Sequence, residues 1–98
     1  MKSAYIVSGL RTAVGKAKKG GFRFVRPDDL AAYVIKSLVK TTQGLEGIMV
    51  DDLIVGNAVP EAEQGMQMGR YISLLSLPKE VPGLVINRYC GSGLEAIH

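Results

Sequence analysis

The sequence predicts an α/β fold with a mixed, mainly parallel sheet, because short apolar runs alternate with amphipathic helical patterns along the 98 residues. The apolar, β-branched runs predict buried strands near residues 4–9, 52–56 and 84–87. Helical periodicity and capping signals predict helices near residues 27–43, 67–76 and 90–98. We therefore expect β-α-β units whose helices cover the sheet.

The composition is typical of a globular chain and excludes a disordered or collagen-like one, since 47% of the residues are hydrophobic and 21% are charged. The single cysteine leaves no internal disulfide and favours a reducing compartment, so we expect a cytoplasmic protein. No apolar run reaches the roughly 18 residues that a membrane-spanning helix requires. We therefore expect a soluble chain without a signal peptide.

The helix predicted at residues 27–43 has the clearest signals. Pro27 suits a first helical turn, and Asp28 and Asp29 complement the positive end of the helix dipole. One apolar stripe follows at helical spacing, comprising Ala31, Val34, Ile35, Leu38 and Val39. The adjacent carboxylates of Asp51 and Asp52 lie at a strand entry, where we expect them to be solvated.

Positive charge is concentrated in residues 1–26, which contain no acidic residue. The bases are Lys2, Arg11, Lys16, Lys18, Lys19, Arg23 and Arg26. The segment lacks the dense clustering and interleaved aromatics of a nucleic-acid surface. Residues 12–26 have no periodicity and indicate a long loop, which is either solvated or faces the phosphates of a ligand.

Cys90 lies where a predicted buried strand leads into a helix. The unpaired N–H groups of a helix start favour a thiolate, and Gly91 and Gly93 leave space for an electrophile to approach. Nearby backbone N–H groups could stabilise an oxyanion. The alternative from the residues alone is a buried, structural cysteine.

Two other interpretations of this segment are weaker. Residues 91–96 match a G-x-G-x-x-A dinucleotide pattern, but the acidic partner expected about 20 residues later would lie beyond His98. His98 lies about 12 Å along a helix from Cys90, too far for a hydrogen bond. One histidine and one cysteine are also too few ligands for a metal site, so we predict none.

The last predicted helix reaches His98 without a capping glycine, and three strands with so few helices do not cover both faces of a parallel sheet. We therefore expect residues 1–98 to be an incomplete N-terminal domain of a larger protein, cut within the helix that carries Cys90.

Residues 87–98 resemble the nucleophile segment of the thiolases, typically Asn-Arg-x-Cys-x-Ser-Gly. Residues 11–16 are similar to the family's Arg-Thr-Pro-x-Gly opening, with Ala13 in place of proline. Residues 22–30 resemble the approach to its first helix, and residues 64–70 its second helix start, with Gln67 where asparagine is common. The resemblance spans nearly the whole chain and implies a thiolase-like layered α/β fold.

The resemblance implies acyl transfer through an acyl-Cys90 thioester, with 3-ketoacyl-CoA and coenzyme A as substrates and no separate cofactor. The family's activating histidines and second cysteine come from the C-terminal half, so we expect residues 1–98 alone to be inactive. Thiolases assemble as homodimers or homotetramers, which would give Met66, Met68 and Tyr71 a partner surface. We expect no nucleic-acid or membrane partner.

The basic loop gains a further interpretation from the resemblance, in which its cations steer the phosphates of coenzyme A. Two alternatives to a thiolase stay open. One is a related condensing enzyme, such as a ketoacyl or hydroxymethylglutaryl-CoA synthase. The other is a non-catalytic assembly module in which Cys90 only packs.

Overall fold

The computed structural model describes residues 2–98, in which helices and strands alternate in chain order. The elements are α1 (Pro27–Thr41), β1 (Leu53–Gly56), α2 (Met68–Ser76), β2 (Gly83–Ile86) and α3 (Ser92–Glu95). Short 3-10 turns lie at Gly47–Met49, Ala62–Gln64 and Tyr89–Gly91. Parallel strands with covering helices confirm the predicted α/β class.

β1 and β2 are parallel neighbours, in register from Leu53 opposite Gly83 to Gly56 opposite Ile86. Parallel strands need a crossover, and α2 lies within the segment that connects them. The carboxyl ends of both strands therefore lie at the same edge of the sheet. Asn57 extends the pairing there by donating its backbone N–H to the Ile86 carbonyl at 3.0 Å.

α2 packs against the sheet with backbone nearly touching backbone. A Cβ atom on Gly69 would overlap the Leu84 carbonyl oxygen, and one on Gly83 would overlap the Gly69 carbonyl oxygen. Beside this contact, Ile72 and Val81 are 0% and 2% exposed. The small residues let the helix approach closely enough for these side chains to exclude water.

α1 begins at Pro27, as predicted, and ends at Thr41, two residues earlier than residue 43. It ends because Thr42 has extended backbone angles and donates both its hydroxyl and its N–H to the Leu38 carbonyl, at 2.7 and 3.0 Å. The predicted apolar stripe is half-buried, and α1 packs against α2. The helix therefore covers the β-α-β unit from outside.

The predicted strand at residues 4–9 does not form among the described residues. Tyr5, Ile6 and Val7 are 82%, 86% and 79% exposed. A strand requires hydrogen bonds from a neighbouring strand, and neither β1 nor β2 pairs with this segment. The apolar, β-branched residues favour a strand, but a strand also needs a neighbouring strand to pair with. Among the described residues this segment has none.

The predicted helix at residues 90–98 is also shorter than expected. A 3-10 turn at Tyr89–Gly91 precedes α3, which comprises only Ser92–Glu95, although His98 still donates its N–H to the Leu94 carbonyl at 3.2 Å. Gly91 and Gly93 have low helix propensity, and the apolar side chain of Leu94 is exposed and lacks packing to stabilise a longer helix. Within residues 2–98, no helix is long and apolar enough to cross a membrane.

Candidate active site

Cys90 lies in the 3-10 turn that follows β2, and its side chain is exposed. This position is just beyond the carboxyl end of a parallel strand, the edge at which open α/β sheets usually bind ligands. Within residues 2–98 the cysteine is therefore not buried. The thiol is accessible to a reactant from solvent.

The turn contains an unusual backbone conformation next to the thiol. Tyr89 has φ +47°, in the left-handed region that residues other than glycine rarely adopt. The Asn87 carboxamide oxygen accepts the Tyr89 N–H at 2.8 Å, and Gly91 donates its N–H to the Arg88 carbonyl at 3.0 Å. Local hydrogen bonds thus hold the chain in a conformation that costs about 1–3 kcal/mol elsewhere.

Ser92 supplies two further hydrogen bonds from the first residue of α3. Its hydroxyl accepts the Arg88 N–H at 2.9 Å and donates to the Tyr89 carbonyl at 2.6 Å. Only 3% of Ser92 is exposed, whereas Asn87 on the other side of the turn is exposed. Ser92 therefore forms the protected support of the turn.

The start of α3 rests directly on the end of β1. A Cβ atom on Gly56 would overlap the Ser92 carbonyl oxygen, so only glycine permits this approach. On the opposite side, an added Cβ would meet nothing within 4 Å at Gly93 and only the Arg88 Cβ, at 3.9 Å, at Gly91. The space predicted around Cys90 is present, but no contact within the described residues demands glycine at 91 or 93.

The neighbouring charges are weakly coupled to the turn. Arg88 Nε lies 3.4 Å from Glu95 Oε2, and the Arg88 side chain is 68% exposed, so this ion pair contributes little stability. No hydrogen bond joins Cys90 to His98 in the described part of the chain. The arrangement holds a thiol without an imidazole partner from residues 2–98.

Asn57 was missed by sequence reasoning. It follows β1 as Asn87 follows β2, and it is only 7% exposed. Its amide donates to the Gln64 carbonyl at 3.0 Å and approaches Met68 Sδ at 3.1 Å, and its carboxamide oxygen accepts the Val59 N–H at 3.2 Å. The available signal was a polar residue directly after a predicted strand, although β1 itself is only half-buried.

The predicted partner surface is only partly exposed. Met66 is 81% exposed and Tyr71 is 44% exposed, but Met68 is 4% exposed and belongs to the core. The reason is that Met68 begins α2 on the side that faces Asn57 and the sheet. The inclusion of Met68 in a partner surface is therefore wrong for the chain as described.

In the basic segment, exposed cations surround a compact turn. Lys16, Lys18 and Lys19 are exposed, and Gly20 donates its N–H to the Lys16 carbonyl at 2.7 Å. Arg23 donates to the Gly20 carbonyl at 3.2 Å, and its guanidinium lies 4.6 Å from the Phe24 ring centre. The lysines remain free to meet an anion, while Arg23 is partly engaged.

Arg26 differs from these cations because it is committed to Asp28. The two groups form a bidentate pair at 2.9 and 3.0 Å, and Asp28 is 7% exposed. The hydrogen bond from Arg26 lowers the pKa of the Asp28 carboxyl below its ordinary value, and the same bond raises the pKa of Arg26. This pair anchors the start of α1 and is not available to a ligand.

The fold and this turn define an α/β domain that presents an accessible thiol at the carboxyl end of a parallel strand. The chain belongs to the thiolase family, because the family described as "Thiolase, N-terminal domain" matches residues 4–98.

Three relatives illustrate the similarity. A 3-ketoacyl-CoA thiolase of Bacillus subtilis (strain 168) is 57% identical over 99% of this chain. Proteins of the same name from Acinetobacter baumannii (strain AYE) and Enterobacter sp. (strain 638) are 47% and 39% identical over 99% and 100% of it. The chain spans about a quarter of the length of these relatives, covering 25%, 25% and 26% respectively.

Proposed function

We propose that the protein containing this chain is an acyl-CoA acyltransferase that cleaves 3-ketoacyl-CoA by thiolysis or runs the reverse condensation. Cys90 is the proposed nucleophile. The observation that carries this proposal is the exposed thiol of Cys90, held in a left-handed turn at the carboxyl end of β2 in a chain of the thiolase family. The name of the similar proteins, 3-ketoacyl-CoA thiolase, supports the substrate class.

The proposed first stage transfers an acyl group to Cys90. The thiol loses its proton to a base, and Sγ attacks C3 of the 3-ketoacyl-CoA. The C2–C3 bond then breaks, and its electron pair leaves with the acetyl-CoA portion as an enolate, which takes up one proton. The products of this stage are acetyl-CoA and an acyl thioester on Cys90.

The second stage restores the enzyme. The thiol of free coenzyme A loses its proton and attacks the thioester carbonyl, the bond to Cys90 Sγ breaks, and the sulfur recovers a proton. Coenzyme A is thus a substrate, and no separate cofactor is required by these steps. Splitting the reaction in this way predicts ping-pong kinetics.

The base and the proton donor are proposed to come from the longer protein. Residues 1–98 contain one histidine and one cysteine, and Cys90 is itself the proposed nucleophile. We therefore propose that residues 1–98 alone have no turnover. We also propose a cytoplasmic homodimer or homotetramer, with Met66 and Tyr71 as the exposed residues that a second subunit would cover.

The experiment compares Cys90→Ala and Cys90→Ser with the wild type in the full-length protein. A medium-chain 3-ketoacyl-CoA is added without free coenzyme A, and the quenched protein is analysed by mass spectrometry. We expect an acyl adduct on the peptide containing Cys90 in the wild type and none in either variant. Because Cys90 is exposed, both variants should unfold at the wild-type temperature, which controls for misfolding.

The other candidates give different outcomes. A condensing enzyme without thiolysis would not break the C2–C3 bond, so it would form no acyl adduct from the 3-ketoacyl-CoA, although a simple acyl-CoA would still acylate Cys90 by thioester exchange. A non-catalytic module would show no adduct at all. Either result would overturn the thiolase proposal.

A further inference from the structure

The Ser92 hydroxyl spans the strained residue that precedes Cys90. It accepts the N–H of Arg88, on one side of Tyr89, and donates to the Tyr89 carbonyl, which belongs to the peptide group shared with Cys90. These bonds measure 2.9 and 2.6 Å. A single side chain thus ties together the backbone on both sides of the left-handed position.

The other local supports are more exposed to water. Asn87 bonds the Tyr89 N–H from an exposed position, where water competes for the same groups. Ser92 is only 3% exposed and its two hydroxyl bonds are partly buried, so water competes with them less than with the bond of Asn87. Ser92 is therefore the better protected of the two side chains that support the turn.

Ser92 is itself held by the sheet. Its carbonyl lies against Gly56 so closely that a Cβ atom at 56 would overlap it. β1 therefore fixes the backbone of Ser92, and the Ser92 side chain in turn fixes the backbone on which Cys90 stands. The Ser92 hydroxyl and the Ser92 N–H, which both donate to the Tyr89 carbonyl, link the residue held by β1 to the turn that carries Cys90.

We propose that Ser92 is the positioning residue for Cys90, holding the thiol at the angle and distance that acyl transfer requires. This inference rests on the proposed function of Cys90. Ser92 contacts no reacting atom, and it acts by keeping Tyr89 left-handed and thereby setting the direction of the Cys90 side chain.

The test compares Ser92→Ala with Ser73→Ala in the full-length protein. Ser73 is a matched control, because it is 0% exposed and its hydroxyl also donates a 2.6 Å hydrogen bond, to the Val81 carbonyl, away from the Cys90 turn. The single-turnover rate of acyl transfer from a medium-chain 3-ketoacyl-CoA to Cys90 is measured at saturating substrate. Each variant is assayed below its own unfolding temperature.

We expect Ser92→Ala to slow acyl transfer about 10- to 100-fold, because misplacing a reacting atom by about 1 Å costs rates of that order. KM should change by less than about threefold, since the substrate-binding groups are not altered. Ser73→Ala should lower the unfolding temperature without slowing the acyl transfer step.

A second pair of variants separates the hydroxyl from the volume of the side chain. Ser92→Thr keeps the hydroxyl and adds a methyl group. Ser92→Val has the same shape as the threonine variant but carries a methyl group in place of the hydroxyl. We expect Thr to retain most of the acyl transfer rate and Val to lose it. This pair gives the decisive comparison if Ser92→Ala does not fold.

The results distinguish the two proposals. If Cys90→Ala abolishes acyl transfer but Ser92→Ala slows it no more than Ser73→Ala, or if Thr and Val behave alike, the positioning role is wrong and the nucleophile stands. If Cys90→Ala keeps normal acyl transfer, the proposed function is wrong and the inference from Ser92 falls with it.

Discussion

The two turns that follow the parallel strands begin with the same residue type but differ in their surroundings. Asn57, after β1, is 7% exposed and bonds three partners across the crossover segment. Asn87, after β2, is exposed, makes one short bond to Tyr89 and reaches the Ala58 carbonyl only at 3.4 Å. The first asparagine is buried, and the second is exposed beside a thiol.

The same local hydrogen-bonding pattern, an asparagine directly after a strand, has a different role in each turn. In both turns an asparagine side chain satisfies backbone groups where the strand pairing ends. Burial makes the first asparagine a structural anchor, since water reaches its carboxamide less easily than that of Asn87. Exposure of the second leaves the turn dependent on Ser92, whose position is set by β1 through Gly56.

The largest expected effect comes from a side chain placed where the end of β1 contacts the start of α3. Gly56→Ala would drive a Cβ atom into the Ser92 carbonyl oxygen, and neither backbone can move without disturbing β1 or α3. We expect a loss of about 3 kcal/mol in the free energy of unfolding, measured by urea denaturation of the full-length protein. Gly21→Ala is the control, because an added Cβ there meets nothing within 4 Å. Equal costs at the two positions would contradict the close approach.

A smaller loss is expected when the buried turn loses its anchor. Asn57→Ala removes the partner of the Val59 N–H and of the Gln64 carbonyl, in two hydrogen bonds that are partly buried. We expect the free energy of unfolding to fall by about 2 kcal/mol in urea denaturation. A loss below that of the corresponding Asn87 variant would show that burial does not distinguish the two turns.

The exposed turn should be less sensitive to the same substitution. Asn87→Ala removes the acceptor for the Tyr89 N–H, but water can replace it, so the expected loss is about 0.5 kcal/mol. Asn87→Asp keeps an acceptor oxygen and should return the urea midpoint to the wild-type value. If the Asp variant is no more stable than the Ala variant, the bond to Tyr89 has no role in stability.

Acid should act on a third region and leave both asparagines unaffected, because carboxamides do not titrate. The pKa of Asp28 is lowered in the folded chain by the hydrogen bond from Arg26. The folded state therefore favours the ionised carboxylate more than the unfolded state does. The resulting stability is present above the ordinary carboxyl pKa of about 3.9 and is lost as pH falls through the lower folded value. Asp28→Asn should therefore be less stable than the wild type at neutral pH.

The measurement is the unfolding free energy of wild type and Asp28→Asn between neutral pH and about pH 3. We expect the difference between them to shrink as pH falls. A constant difference would mean that the ion pair with Arg26 does not contribute through its charge. The difference between the Asn57 and Asn87 variants should stay the same over this range.

Much of the fold could be predicted from residue patterns because its signals are local. Pro27, Asp28 and the apolar stripe place α1 to within two residues at its end, and the runs at residues 52–56 and 84–87 place β1 and β2 to within one. The segment at residues 4–9 failed because strand formation depends on a partner strand as well as on its own residues.

The candidate site was predicted in part. Cys90 was identified from its place after a predicted strand, and its role as the nucleophile stays a prediction, while the structure shows that its side chain is exposed. Ser92 and Asn57 were not identified as supports, because a serine or an asparagine has no distinctive signal until its hydrogen-bond partners are known. Their side-chain partners lie 2 to 11 residues away, and the bond from Ser92 to Tyr89 depends on a left-handed backbone conformation that no propensity predicts.

The sequence by itself determined the α/β class, the order of helices and strands and the position of Cys90 at a strand end, because these depend on hydrophobic periodicity and on neighbouring residues. Only the tertiary structure decided which asparagine is buried, which glycine is indispensable and which hydroxyl holds the turn. Those properties depend on how closely β1, α2 and α3 approach one another. Burial and contact distance arise when separate segments pack together, so no single segment contains them.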